Sequence, residues 1–342
     1  MSIKRTCIEK QVKAFCAHIG ADPLLVQGAG GNVSWKDGST LWVKASGTWL
    51  AEAQLKDIFV PVDLSLLQTA LFKQDFSVNP EVISGSDLRP SIETLLHALM
   101  PHKVVAHLHA IEILAHLVQV NAKEKIKYLV GDSVKWIYVD YFKPGADLAR
   151  AISRKLAKNP DADVVFLGNH GVVIGGETID DVNSTLSILL SILQTTTLQS
   201  LPVSSPLKLE PEFFVRGYIH CGDEEVSLLA KNNELTNRLR HDWALYPDHV
   251  VFLGGKSALL EANFCLVELD EITNGNPPFI FSISETVYES VNATEAQKCQ
   301  LRCYYEVLIR QTRSAVLSSL TDEDVTDLID WDFEKFRKNL SL

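Results

Sequence analysis

The chain has 342 residues, 46% of them apolar and 22% charged, which is enough to bury a large core as one domain or as two. A formal net charge of −11 with no basic run argues against a protein that neutralises nucleic-acid phosphates. Met1–Arg5 is not followed by a signal-like apolar core, and no apolar stretch reaches the roughly 18–20 residues that span a bilayer, so a soluble, cytoplasmic protein with no membrane partner is expected.

In chain order, Ile8 to Ile19 carries Val12, Phe15, Cys16 and Ile19 at the spacing of an amphipathic helix. A glycine-rich loop, Gly28-Ala29-Gly30-Gly31-Asn32-Val33-Ser34, precedes two strand-like runs, Leu41–Lys44 and Ile58–Val62. Ser91 to Met100 reads as a helix with Ser91 as cap and Ile92, Leu95, Leu96 and Leu99 as its apolar stripe, ended by Pro101. Lys103–His109 is a strand, followed by a helix through Leu117 and a strand over Trp136–Asp140. Asp147–Ala157 reads as a helix, Val164–Gly168 and Val172–Ile174 as strands about a tight turn, and Thr178–Thr196 as a long helix. This alternation predicts an α/β layered domain whose central sheet need not be all parallel.

Leu201–Pro206 reads as a linker, giving domains of 1–200 and 201–342. Beyond it the pattern predicts a helix over Glu224–His241, strands near His249–Leu253 and Phe264–Leu269, a strand over Phe279–Ile283, a helix over Thr294–Leu320 and a polar tail with Trp331. Cys7, Cys16, Cys221, Cys265, Cys299 and Cys303 are irregularly spaced, as free thiols in a reducing compartment would be. His220 and Tyr246 are the conceivable site residues of this region, and a structural role suits both.

The chemistry concentrates earlier. Alternate side chains of a strand share a face, so His107 and His109 can grip one ion, and His170 in Asn169-His170-Gly171 can be the third ligand. Three histidines with a fourth position open suit catalytic zinc, whereas two strand histidines alone are more commonly partly buried residues without metal. His97, His102 and His116 are less well placed, and His97, beside the capping residue of its helix, suits a structural role or one behind the ligands. Glu93, the one acid of its apolar helix, could be a general base or simply complement the helix dipole. The glycine loop and Lys44-Ala45-Ser46-Gly47 could cradle a phosphate or be ordinary turns. Val33 breaks a dinucleotide fingerprint, and no Walker lysine follows.

Gly31-Asn32-Val33-Ser34, Lys44-Ala45-Ser46-Gly47, Ser91-Ile92-Glu93, His107-Leu108-His109 and Asn169-His170-Gly171, taken in this order, resemble the class II aldolase/adducin family. The resemblance implies a three-layer αβα domain with a mixed sheet, followed by a smaller α/β region, and assembly as a homo-oligomer, commonly a tetramer. It implies Zn2+ or another divalent metal on His107, His109 and His170, with Glu93 as the catalytic acid/base. Asn32, Ser46, Gly47 and Ser91 would hold the phosphate of a sugar-phosphate substrate, and Gly31 would shape the loop. The implied reaction is retro-aldol cleavage of a ketose phosphate through an enediolate. Relatives that epimerise sugar phosphates or decarboxylate sugar-acid phosphates, and the non-catalytic adducin branch, supply the other readings. Two features depart from the small sugar-phosphate aldolases, a shorter Glu93-to-His107 stretch and about 140 further residues. Within the latter, Leu245–Gly254 is similar to a segment in the aldolase half of bacterial fusions with a short-chain dehydrogenase, so a stand-alone version of that half is expected.

Overall fold

The computed structural model describes residues 7–83, 86–198 and 211–332. Met1–Arg5 and the Leu201–Pro206 linker lie outside the described residues, as does the 200/201 boundary. The chain divides into two compact units, Met1–Gln194 and Thr195–Leu342.

The first unit is built from α1 (Cys7–Gly20), β1 (Asn32–Asp37), β2 (Thr40–Lys44), β3 (Phe59–Asp63), α2 (Leu64–Phe72), α3 (Thr94–Leu99), β4 (Val104–Leu108), α4 (Ile111–Leu117), α5 (Ala122–Val130), β5 (Trp136–Val139), α6 (Ala146–Leu156), β6 (Val164–Leu167), β7 (Gly171–Gly176) and α7 (Ile179–Ile192). Its seven strands form one mixed sheet in the order β3-β2-β1-β4-β7-β6-β5. Only β5 and β6 run parallel; the other neighbours are antiparallel.

Both faces of the sheet are covered. Val33, Trp35, Ala106, Leu108, Phe166, Val172 and Ile174 pack with α1, α4, α5 and α7. Val43, Val60, Val105, Val165 and Val173 point the other way, into cores closed by α2, α3 and α6. A strand buried on both faces reads as a continuous apolar run, which is why β4, β6 and β7 are apolar nearly throughout. The result is the three-layer αβα domain with a mixed sheet. The alternation also sorts the polar residues: with Val33 and Trp35 on the α1 face, Asn32 and Ser34 must face α3.

Two boundaries in this unit differ from expectation. β1 runs through residues read as the end of the glycine loop, because Asn32 to Asp37 pairs with β2 on one side and β4 on the other. Ser91-Ile92-Glu93 does not open the helix; these residues form a turn and α3 begins at Thr94. Ser91 still does cap-like work, its Oγ accepting from the Glu93 amide at 3.2 Å and its carbonyl from Thr94.

The second unit contains α8 (Pro211–Phe214), β8 (Tyr218–His220), α9 (Leu228–Lys231), α10 (Asn233–His241), α11 (Pro247–Leu253), β9 (Leu259–Leu260), α12 (Leu266–Asn274), β10 (Phe279–Ser282), β11 (Thr286–Ser290), α13 (Glu295–Ile309) and α14 (Asp322–Ile329). Its four strands form a smaller sheet, β8-β11-β10-β9, over a core of Phe213, Tyr218, Leu260, Leu269, Ile280 and Tyr288.

Five expectations are corrected here. His249–Leu253 lies in a helix: Pro247 sits at its first position and Gly254, at φ 90°, follows its end, the Pro-start and Gly-stop signature of a helix. Phe264–Leu269 overlaps α12, where the Cys265 amide donates to Glu268 Oε2 at 2.8 Å in a capping box. The long helix over Glu224–His241 is two helices split at Asn232, whose side chain caps the second by accepting from Glu234 and Leu235. The last long helix stops at Ile309 rather than Leu320, and Asp322–Ile329 is helical where a polar tail was expected.

Candidate metal centre and acid–base site

The site forms where β1, β4 and β7 meet. Asn32 stands opposite His107 in the β1–β4 register, and His107 stands opposite Val173 on β7. Directly opposed residues share a face, so Asn32 and His107 look toward α3 together. His109 lies one residue beyond the end of β4. His170 is delivered by the turn between β6 and β7, in which Asn169 takes φ 53°, a left-handed conformation that asparagine tolerates better than most residues. Gly171 leaves the room the rings need: a Cβ there would lie 3.0 Å from His109 Cδ2 and 3.3 Å from His107 Cε1, and would collide with the Leu108 carbonyl oxygen.

The three imidazoles converge. Ring centroids of His107 lie 5.0 Å from His109 and 4.8 Å from His170, and those of His109 and His170 lie 5.4 Å apart. One nitrogen of each lies within 4.8 Å of the others, and all three residues are buried. The donor chemistry fits a cation. His107 Nδ1 is 3.2 Å from the Val172 carbonyl, which can only accept, so Nδ1 carries the proton and Nε2 presents its lone pair to the cluster. His109 Nε2 stands 3.1 Å from that nitrogen. For comparison, two ligands of one tetrahedral zinc at roughly 2.0–2.1 Å stand about 3.3 Å apart. The cluster could therefore hold a divalent metal, and no other group of this kind is found among the described residues.

Glu93, at the N-terminus of α3, lies against the same nitrogens. Its Oε2 is 3.4 Å from His107 Nε2 and its Oε1 3.4 Å from His170 Nε2. Burial pushes the carboxyl up, but His107, His170 and a hydrogen bond from Asn32 outweigh it and hold the pKa at about 2. Asn32 Nδ2 donates to Glu93 Oε2 at 2.8 Å, while its Oδ1 meets His97 Nε2. His97 Nδ1 in turn lies 2.7 Å from Ser34 Oγ. Ser34 and His97 were not singled out as site residues on sequence. The signal for them is local: Ser34 is two residues from Asn32 on a strand, and His97 is one helical turn beyond Glu93.

The segments with phosphate-type residues also meet. The Ser46 amide donates to the Arg89 carbonyl at 2.9 Å and the Ser91 amide to Lys44 at 3.1 Å, so Ser46-Gly47 runs beside Ser91, two residues from Glu93. Lys44 ties this loop to the glycine loop, its ammonium donating to Ala29 O at 3.1 Å and Thr48 O at 2.6 Å. Gly31 has φ 61°, and a Cβ there would press to 3.0 Å on the His107 carbonyl oxygen, so the close approach of the glycine loop to β4 depends on glycine.

The remaining histidines lie elsewhere. His102 pairs with Asp163 at 2.9 Å, and His116 donates to the Leu193 carbonyl at 3.0 Å. In the second unit His220 stacks on Tyr288, and Tyr246 is fully buried.

Comparison with known proteins bears on the first unit. The model of the Class II Aldolase and Adducin N-terminal domain matches residues 10–196, more than half of the chain. A Bacillus subtilis protein described as an uncharacterized oxidoreductase, YuxG, is 32% identical over 189 residues; the match covers 50% of this chain and 27% of YuxG, so the chain spans about a quarter of that relative. The L-fuculose phosphate aldolase of Methanocaldococcus jannaschii is 27% identical over 190 residues, covering 53% of this chain and 91% of that enzyme. The solved N-terminal class II aldolase domain of a conserved Thermoplasma acidophilum protein is similar at 25% identity and a TM-score of 0.47, over 57% of this chain and 95% of that one. No helix among the described residues is long and apolar enough to cross a membrane. The five motifs lie within the matched residues, and the chain belongs to the class II aldolase and adducin N-terminal domain family.

Proposed function

We propose that this protein is a metal-dependent aldehyde-lyase that cleaves a phosphorylated ketose by retro-aldol chemistry. The observation that carries the reading is the placement of the Glu93 carboxylate 3.4 Å from both His107 Nε2 and His170 Nε2, at the mouth of a three-histidine cluster. An adducin-like scaffold has no use for a buried base set against a buried cation site.

His107, His109 and His170 would hold the ion, zinc being the expected one. When bound, the ion supplies Lewis-acid stabilisation of the negative charge that develops on the substrate oxygens as the carbon–carbon bond breaks. Glu93 carries the proton to and from the carbon that becomes nucleophilic. Ser46, Gly47 and Ser91 bind the phosphate with hydroxyl and backbone donors, and Gly31 sets the loop beside them. Asn32 has two amide hydrogens; one is given to Glu93, and the second is left for a phosphate oxygen. The protein works as a homo-oligomer, with a tetramer as the expected state.

Metal analysis of the purified protein, coupled to a screen of ketose phosphates, tests the reading. Stoichiometric zinc and release of an aldehyde together with dihydroxyacetone phosphate are expected, and His107→Ala is expected to lose both metal and turnover. A fully active His107→Ala protein without metal would overturn it. Epimerised or decarboxylated products would keep the site and change the reaction.

A further inference from the structure

The retro-aldol reading uses Glu93 and Asn32 but not Ser34 and His97 behind them. Ser34, Asn32 and His97 are all nearly inaccessible to solvent, and they form a continuous line that ends on the Glu93 carboxylate. The direction of each hydrogen bond in the line can be deduced.

Burial pushes the His97 ring down to about 3, so at neutral pH it is uncharged, with one nitrogen a donor and the other an acceptor. Asn32 Oδ1 can only accept, so the proton sits on His97 Nε2. His97 Nδ1 is then the acceptor, and Ser34 Oγ, 2.7 Å away, donates to it. At the other end Asn32 Nδ2 donates to Glu93 Oε2 at 2.8 Å. Turning the carboxamide over would set its oxygen against a carboxylate oxygen, two acceptors face to face, so Glu93 fixes the way Asn32 points and Asn32 in turn fixes the His97 tautomer. Glu93 Oε1 accepts no hydrogen bond and lies 3.4 Å from His170 Nε2.

We propose that Ser34, His97 and Asn32 form a one-way hydrogen-bond relay that anchors Glu93 Oε2 and leaves Oε1 as the atom that takes and returns the substrate proton. His97 is a positioning residue that acts through Asn32. This rests on the reading of Glu93 as the acid/base. In the synthetic direction a C–H bond beside the carbonyl breaks, its electron pair stays with the substrate and an O–H bond forms at Oε1. In cleavage the same proton goes back to that carbon. Anchoring one oxygen matters because a carboxylate free to rotate about its last bond presents neither lone pair at a fixed place, and an error of about 1 Å can cost roughly 100-fold in rate.

The test uses the zinc-loaded full chain and exchange of the carbon-bound hydrogen of dihydroxyacetone phosphate with D2O. His97→Met is expected to slow exchange and kcat about 10- to 100-fold, with KM and bound zinc changed less than about twofold. His97→Gln, whose amide can still donate to Asn32 Oδ1, should return to within about fivefold of the parent. A merely structural histidine would show no such rescue. The 15N spectrum of His97 should show Nε2 protonated and Nδ1 bare, with Nδ1 moving in Ser34→Ala.

A proton on Nδ1 would overturn the relay, as would His97→Met at parental kcat or a loss of zinc equal to the loss of rate. If His97→Met fails to fold, the spectrum and Ser34→Ala decide. If the parent protein exchanges no hydrogen at all, the acid/base reading falls and the role given to Oε1 with it. The tautomer then still shows whether the relay exists.

Discussion

Asn32 Nδ2 stands 2.8 Å from Glu93 Oε2, and the strand that carries Asn32 is hydrogen-bonded in register to the strand that carries His107. Glu93 is thus indexed to His107 through two adjacent β-strands rather than through loops. A hydrogen bond to a buried charged group contributes about 1.5–3 kcal/mol. In a double-mutant cycle of Asn32→Ala and Glu93→Ala read by urea unfolding, the coupling is expected to fall in that range. Additivity to within about 0.5 kcal/mol would show that the two side chains do not interact.

Lys44 makes the corresponding link for the phosphate segments. Its ammonium spans from the Ala29 carbonyl on the glycine loop to the Thr48 carbonyl beyond Ser46-Gly47. Lys44→Met keeps most of the volume but leaves both carbonyls without this donor, so both loops loosen. KM for the phosphorylated substrate should rise about tenfold or more while bound metal stays constant, a change of about 1.4 kcal/mol in ground-state binding. An unchanged KM would place the phosphate elsewhere.

How far the sequence reveals the molecule depends on which contacts are local. The helix from Cys7 to Gly20 and strands β4, β6 and β7 follow from periodicity and apolar runs, because that pattern is written within each element whatever covers it. The convergence of His107 and His109 follows from strand alternation alone. What is not legible is pairing at a distance. Asn32–Asp37 alternates polar and apolar residues as a strand should, yet the glycines before it draw the eye to a loop; only its pairing with β4 shows why Asn32 is an active-site neighbour. In the second unit, Val250-Val251-Phe252-Leu253 has the composition of a strand, and the flanking Pro247 and Gly254 outweigh it because they fix where a helix can start and stop.

Gly171 tests how tightly the ligand rings are packed. Its backbone does not require a positive φ, so a substitution there is opposed by space alone. In Gly171→Ala the new methyl meets the Leu108 carbonyl oxygen and the rings of His109 and His107, and the backbone contact cannot yield by a rotamer change. The rings must move apart, so bound zinc should fall well below one per chain after dialysis. Overpacking of this kind costs about 1–3 kcal/mol of stability as well. Full zinc retention would mean that the rings have room to shift.

The pH dependence of stability can be read from a histidine of the second unit. His249 is fully buried among the rings of Trp243, Tyr246 and Tyr304, and burial pushes its pKa down from 6.5 to about 3. A histidine with a depressed folded pKa favours the folded state only while the unfolded chain is also neutral. Its contribution is whole above pH 6.5 and is lost as pH falls, because the unfolded chain binds a proton that the folded chain refuses. At pH 5 the loss is about 2 kcal/mol, from 1.36 kcal/mol per unit over roughly 1.5 units. Urea unfolding between pH 7.5 and 4.5 should show stability dropping toward acid, and His249→Phe should flatten that slope by about one proton. A slope unchanged by the substitution would mean that His249 titrates alike in both states.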